Sequence, residues 1–292
     1  MTVVVGYRAS NLGLSGLYLA VRIARTLGTS LTVATIVPAP WPTPSLARVD
    51  AEYENWAGDL AAESAKEAAG YLHDLVDGIA VSFVHRAHRS VSGGLIEMVE
   101  EFGGEILVLG SLPSGGRGQV VIGSTAEWLL HASPVPVALS PPEYRSHAGK
   151  LTRLTCAYSA TPDSIDVVRG CFETAQRFGV PVRVLTFAVR GKTMYPPEVG
   201  SEVEDSILAA WASQAREILQ DLKTEGVVSE DVALQVSTGG TWKESIDNAE
   251  WQDGEILALG TSPRGDIRRV FLGSRSAKII RESSVPVLVL PG

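Results

Sequence analysis

Two stretches of the chain combine the residue types that hold an anion. Gly110 is followed thirteen residues later by Gly123-Ser124, and Gly260 by Gly273-Ser274 at the same spacing. Glycine lets backbone N–H groups approach an anion, and a helix opening at the second glycine points its unpaired N–H groups and partial positive charge at it. Ser124 and Ser274 add a hydroxyl donor. A second reading needs no ligand: Gly110 and Gly260 turn the chain off a strand, and Ser124 with Glu127 forms a Ser-x-x-Glu capping box. The two stretches differ in charge. The second carries Arg264, Arg268, Arg269, Arg275, Lys278 and Arg281, against Arg117 and His131 in the first. Arginine forks suit phosphate oxygens, so the second stretch is expected to be the stronger anion site; the bland counterpart is a solvated basic helix face.

Other constellations promise less chemistry. His85 and His88 have loose metal-like spacing, without a cysteine or carboxylate cluster to complete a site. Cys156 and Cys171 have no His or Asp partner that would make either a nucleophile; packing in a strand and on a helix face is expected of them. Trp128, Trp211 and Trp242 have no spacing that signals stacking on bases. Trp41, among Pro38, Pro40, Pro42 and Pro44, reads as a stiff loop.

The elements that must position these residues occur twice. Gly104-Glu-Ile-Leu-Val-Leu-Gly110 lies on Gly254-Glu-Ile-Leu-Ala-Leu-Gly260, and Ser133-Pro-Val-Pro-Val137 lies on Ser283-Ser-Val-Pro-Val287, at an unbroken offset of 150. Val3-Val-Val-Gly-Tyr-Arg-Ala-Ser10 matches Leu154-Thr-Cys-Ala-Tyr-Ser-Ala-Thr161 at an offset of 151. A repeat this long means a duplicated domain. The halves divide as 1–142 and 150–292, around the Pro- and Gly-bearing stretch Ser140–Gly149. In half 1, Val3–Val5, Leu31–Val37, Val81–Val84, Ile106–Leu109 and Val135–Leu139 read as strands. Leu14, Leu17, Tyr18, Val21 and Ala24 form one helical face, with Arg22 and Arg25 turned away and Gly28 as the stop. An Ala- and Glu-rich helix runs from about Asp50 to Val76, and another over Leu95–Phe102. Half 2 repeats this order, with Thr161-Pro162-Asp163 as a helix start. Strand–helix alternation with continuous apolar strands predicts an α/β fold: two tandem doubly wound domains, each a five-stranded parallel sheet flanked by helices. Ligands bind such sheets beyond the carboxyl ends of the strands, where the strand order reverses. The loops after Leu109 and Leu259 begin at such ends.

Composition narrows the function. The 292 residues are 45% hydrophobic and 20% charged, an ordinary globular balance. The net charge of −8 disfavours general nucleic-acid binding. No apolar run approaches the length of a membrane span. The start, Met1-Thr-Val-Val-Val-Gly-Tyr-Arg, lacks a signal-peptide layout, and two cysteines make no disulfide framework. A cytoplasmic location is expected.

Both halves resemble the universal stress protein domain, and the chain resembles a tandem member of that family. Nucleotide-binding members carry G-x2-G-x9-G-[ST] after the fourth strand, then a helix and a P-V-x-V strand. The matching residues are Gly110-x2-Pro113-x9-Gly123-Ser124 with Pro136-Val-Ala-Leu, and Gly260-x2-Pro263-x9-Gly273-Ser274 with Pro286-Val-Leu-Val. The second glycine of the motif is proline in both halves, which removes one N–H donor; Gly115 and Gly265 follow two residues later. The family's strand-1 signature carries an Asp near the nucleoside, where this chain has Arg8 in half 1 and Ser159 in half 2. The resemblance implies a Rossmann-like fold of the adenine nucleotide alpha hydrolase type. It also implies ATP or another adenine nucleotide as ligand, through an altered site drawn from Gly110, Gly115, Gly123, Ser124, Arg8, Gly260, Arg264, Gly265, Gly273 and Ser274. Arg8 would reach a phosphate or fill the site with its own charge. The resemblance further implies pairing of the last strand of one half with that of the other, an internal pseudo-dimer; association into a homodimer stays open. The expected role is a stress-response regulatory module, with enzyme activity left open. An interaction scaffold with decayed sites is the alternative, and a weak nucleotide hydrolase the third, since the sequence places no carboxylate to hold Mg²⁺ or activate water.

Overall fold

The computed structural model describes residues 1–9, 13–39, 47–112, 120–145, 149–159, 164–189, 201–263, 270–271 and 274–291. They form two units, Met1–Lys150 and Leu151–Leu290.

Unit 1 starts with β1 (Thr2–Gly6), whose Val3, Val4 and Val5 are fully buried. β-Branched side chains on both faces suit a central parallel strand. Helix α1 (Leu14–Leu27) follows and ends at Gly28, whose left-handed φ of 64° needs no Cβ. Then come β2 (Ser30–Pro38), α2 (Ala47–Leu72), β3 (Val81–His88), α3 (Val91–Glu101), β4 (Gly104–Gly110), α4 (Ser124–Ala132) and β5 (Val137–Ser140). The strands lie in the order β3-β2-β1-β4-β5, all parallel. The order reverses between β1 and β4, which opens a crevice at their carboxyl ends.

Unit 2 runs β6 (Arg153–Ala157), α5 (Ser164–Phe178), β7 (Val182–Val189), α6 (Ser201–Thr224), β8 (Ala233–Gly239), α7 (Trp242–Asp247) and β9 (Glu255–Gly260). Two short strands follow, β10 (Ser262–Pro263) and β11 (Val270–Phe271), then α8 (Ser274–Glu282) and β12 (Val287–Leu290). Its parallel sheet has the order β12-β9-β6-β7-β8. The duplication extends to single hydrogen bonds. Tyr7 N–H donates to the Ala34 carbonyl at 3.0 Å, and Tyr158 N–H to that of Leu185 at 2.8 Å. The Thr35 hydroxyl donates to the Tyr7 carbonyl, and Thr186 to that of Tyr158, both at 3.0 Å.

Several expectations are corrected. Arg22 is not turned to solvent: it is 1% exposed and donates to the Tyr144 hydroxyl at 2.9 Å. Helix α1 is buried almost all round, and the chain after β5 brings Tyr144 over its polar side. Strand β3 reaches His88 instead of stopping at Val84, because it pairs with β2 along its whole length. His85 and His88 therefore share one strand, three positions apart, and face opposite sides. Thr161-Pro162-Asp163 and Trp41 lie outside the described residues.

Candidate functional site

In unit 1 the crevice holds a cavity of about 300 Å³. Its rim brings together Arg8, Gly110, Gly123 and Ser124, four of the residues singled out from sequence, while Ile36, Val91, Leu95 and Leu109 form an apolar wall. Arg8 follows β1 and is exposed, and among the described residues no side chain pairs with it.

The first turn of α4 forms the polar end. Gly123 is the cap residue, with φ −77° and ψ 166°, and no side chain caps the helix. Ser124 is therefore the first helical residue and not the cap, so the Ser124–Glu127 capping box does not form. A box needs serine at the extended position, which glycine holds here. Ser124, Thr125 and Ala126 line the cavity, so first-turn N–H groups without an intrahelical acceptor adjoin it.

The loop between Gly110 and Gly123 is closed at its base. Val121 N–H donates to Ser111 Oγ at 2.8 Å, and Leu112 N–H to the Val121 carbonyl at 3.4 Å. In unit 2 the equivalent arms pair as β10 and β11, with Pro263 opposite Val270. Gly115, Arg117, Arg264, Gly265, Arg268, Arg269 and Gly273 lie outside the described residues, as does Pro113.

Glycine at 110 has a packing cause. A Cβ there would stand 2.5 Å from Gly13 Cα, and one on Gly16 would stand 2.7 Å from Gly110 N. The first turn of α1 thus rests directly on the end of β4. In unit 2 the repeat places Val167 where unit 1 has Gly16, and a Cβ on Gly260 would stand 2.1 Å from Val167 Cγ2. The space beside Gly260 is filled by valine.

Unit 2 has its own cavity of about 360 Å³, lined among others by Ser159, Phe187, Trp211, Trp242 and Arg275. Gly260 and Ser274 are not among its described lining residues; Ser274 is exposed at the start of α8. Lys278 and Arg281 are exposed on the same helix.

Beside the unit 1 cavity, Tyr7 is 3% exposed and donates to Glu67 Oε1 at 2.6 Å. Burial, then the bond to the carboxylate, pushes its phenol well above the ordinary tyrosine range. Ala9 N–H donates to Ser64 Oγ at 3.0 Å, so α2 clasps the end of β1 at two points. Burial likewise raises the Cys171 thiol, which is in hydrogen-bond contact with Cys156. Both cysteines are buried free thiols.

The sequence matches the universal stress protein family twice, over residues 1–141 and 150–291. The chain belongs to the universal stress protein family. It is 66% identical to universal stress proteins of Mycobacterium tuberculosis and Mycobacterium bovis, covering all of this chain and all of theirs. A universal stress protein of Archaeoglobus fulgidus has a similar fold, with a TM-score of 0.57 and 18% identity, over 99% of this chain and 98% of that one. A functionally unknown protein of Pseudomonas aeruginosa is similar at a TM-score of 0.59 and 14% identity, over 99% and 92%. The tandem α/β architecture read from the repeat is thus that of the family.

Sequence reasoning missed the apolar wall of the first cavity and the aromatic wall of the second. Trp211 and Trp242 are 31 residues apart, a spacing that says nothing until β7, α6 and α7 are assembled. The repeat itself held a signal: at its offset, Phe187 falls on Ile36 and Trp242 on Val91.

Proposed function

We propose that this family member is a cytoplasmic, ligand-sensing regulatory module of the stress response that binds an adenine nucleotide in unit 1. One observation carries the proposal: a single cavity joins the exposed Arg8 and the open first turn of α4 to an apolar wall. Phosphates would sit against Arg8, the Gly123–Thr125 backbone and the Ser124 hydroxyl, and the base against Ile36, Val91 and Leu95. A guanidinium and helix-terminal N–H groups suit phosphate, and the apolar surface suits a flat heterocycle. The cytoplasmic location is supported by the cysteine usage: Cys156 and Cys171 alone give no disulfide framework.

Calorimetric titration of the purified full chain with ATP tests this. Saturable binding weakened by Arg8→Ala by about tenfold or more is expected, the usual worth of a charge-assisted hydrogen bond. No saturable heat at millimolar ATP would remove the nucleotide and leave only the fold.

Pairing of the last strand of one half with that of the other, implied by the resemblance, stays part of the proposal, as does association into a homodimer. Cysteine cross-linking between the two strands and sedimentation equilibrium check them. The interaction-scaffold reading is favoured for unit 2 in one respect: Val167 occupies the space beside Gly260.

A further inference from the structure

We propose that unit 2 has replaced the nucleotide-type cavity with one that takes a planar aromatic monocarboxylate. The two cavities overlap at four equivalent positions of the repeat, and their differences there are concerted. Phe187 stands for Ile36, Trp242 for Val91, Arg275 for Thr125 and Ser159 for Arg8. Two aliphatic wall residues have become aromatic. The cation has moved from the end of the first strand to the first turn of the last helix.

A third aromatic, Trp211, comes from α6 and is 44% exposed. Phe187 and Trp242 lie with ring centroids 6.3 Å apart at 55°, a tilted pair that leaves ring surface towards the cavity of about 360 Å³. Aromatic walls favour a flat π-system in offset or tilted contact. Val167 packs on Gly260 at the end of β9, where unit 1 packs Gly16 on Gly110.

Charge selects the anion. Arg275 is the cationic side chain among the described lining residues, and it matches one negative charge. A guanidinium fork takes a carboxylate in bidentate fashion. The Gln214 amide on α6 supplies a further polar group at the rim.

The test uses the full chain and 2-naphthoate as the added compound, followed by tryptophan fluorescence and calorimetry. Saturable binding at one per chain is expected. Arg275→Met, at an exposed position, should weaken it about tenfold or more, as should Trp242→Ala. In the unmutated protein the neutral 2-naphthalenemethanol should bind more weakly than 2-naphthoate, and Arg275→Met should abolish that difference. This comparison stands even if Trp242→Ala does not fold. Arg8→Ala should leave 2-naphthoate binding unchanged, which keeps the result separate from the nucleotide proposal for unit 1. No saturable binding below about 1 mM, an affinity weaker than roughly −4 kcal/mol, would overturn the inference. Indifference to Arg275→Met, or displacement by ATP that persists in Arg8→Ala, would overturn it equally.

Discussion

At the scale of single residues, the same glycine serves packing and binding, and the two roles separate by experiment. A methyl group on Gly110 meets the Gly13 backbone at 2.5 Å, and backbone cannot rotate away as a side chain can. Gly110→Ala should therefore cost about 1–3 kcal/mol of stability, the range for overpacking, in urea unfolding without any ligand. An unchanged midpoint would show that α1 does not rest on β4 as described. Cys171 makes a second prediction. Its folded thiol is held protonated beyond the ordinary value near 9, so the unfolded chain loses its proton first as pH rises. That contribution to stability is intact below pH 9 and is lost progressively above it. Tyr7 and Tyr158 act in the same direction above their ordinary value of 10. The thermal midpoint should fall as pH passes about 9, and Cys171→Ala should remove the first part of that fall.

At the scale of elements, the two sheets solve one problem with different chemistry. Near the start of β9, Glu255 is fully buried between Arg153 and Arg183, each at 2.7 Å, and also accepts from Thr155. Arg183 further stacks over Trp251 at 5.1 Å. In unit 1 the glutamate is kept as Glu105, but Thr2 and Thr32 stand where unit 2 has Arg153 and Arg183, and Thr2, Thr32 and Ser82 are linked hydroxyl to hydroxyl at 3.1 Å. Glu255→Gln would leave two guanidinium groups without a counter-charge and should destabilise unit 2 by about 3–5 kcal/mol. Differential scanning calorimetry checks this, and a loss near zero would contradict the assignment of the pair as buried and mutually dependent. The elements were largely legible in sequence because short continuous apolar runs bounded by glycine, such as Ile106–Leu109, suit buried parallel strands. Arg22 and the full length of β3 were not, since tertiary partners, Tyr144 and β2, decide them. The meeting of Arg8 with Gly110, Gly123 and Ser124 followed from the family spacing. The wall of Ile36, Val91 and Leu95 did not, because three separate elements supply it.

At the scale of the whole molecule, duplication supplied two copies of one fold, and substitution at matching positions made their cavities unlike. Unit 1 keeps glycine beside glycine at the end of β4, and an arginine after β1. Unit 2 has valine beside glycine and an arginine on its last helix. Two copies kept for the same task would bind the same ligand twice. The divergence described here predicts unequal sites instead. The most direct measurement is the stoichiometry of ATP binding by calorimetry on the full chain. The account predicts one nucleotide per chain, lost in Arg8→Ala and untouched by Arg275→Met. Two equivalent nucleotides per chain, or one that survives Arg8→Ala and vanishes with Arg275→Met, would contradict it.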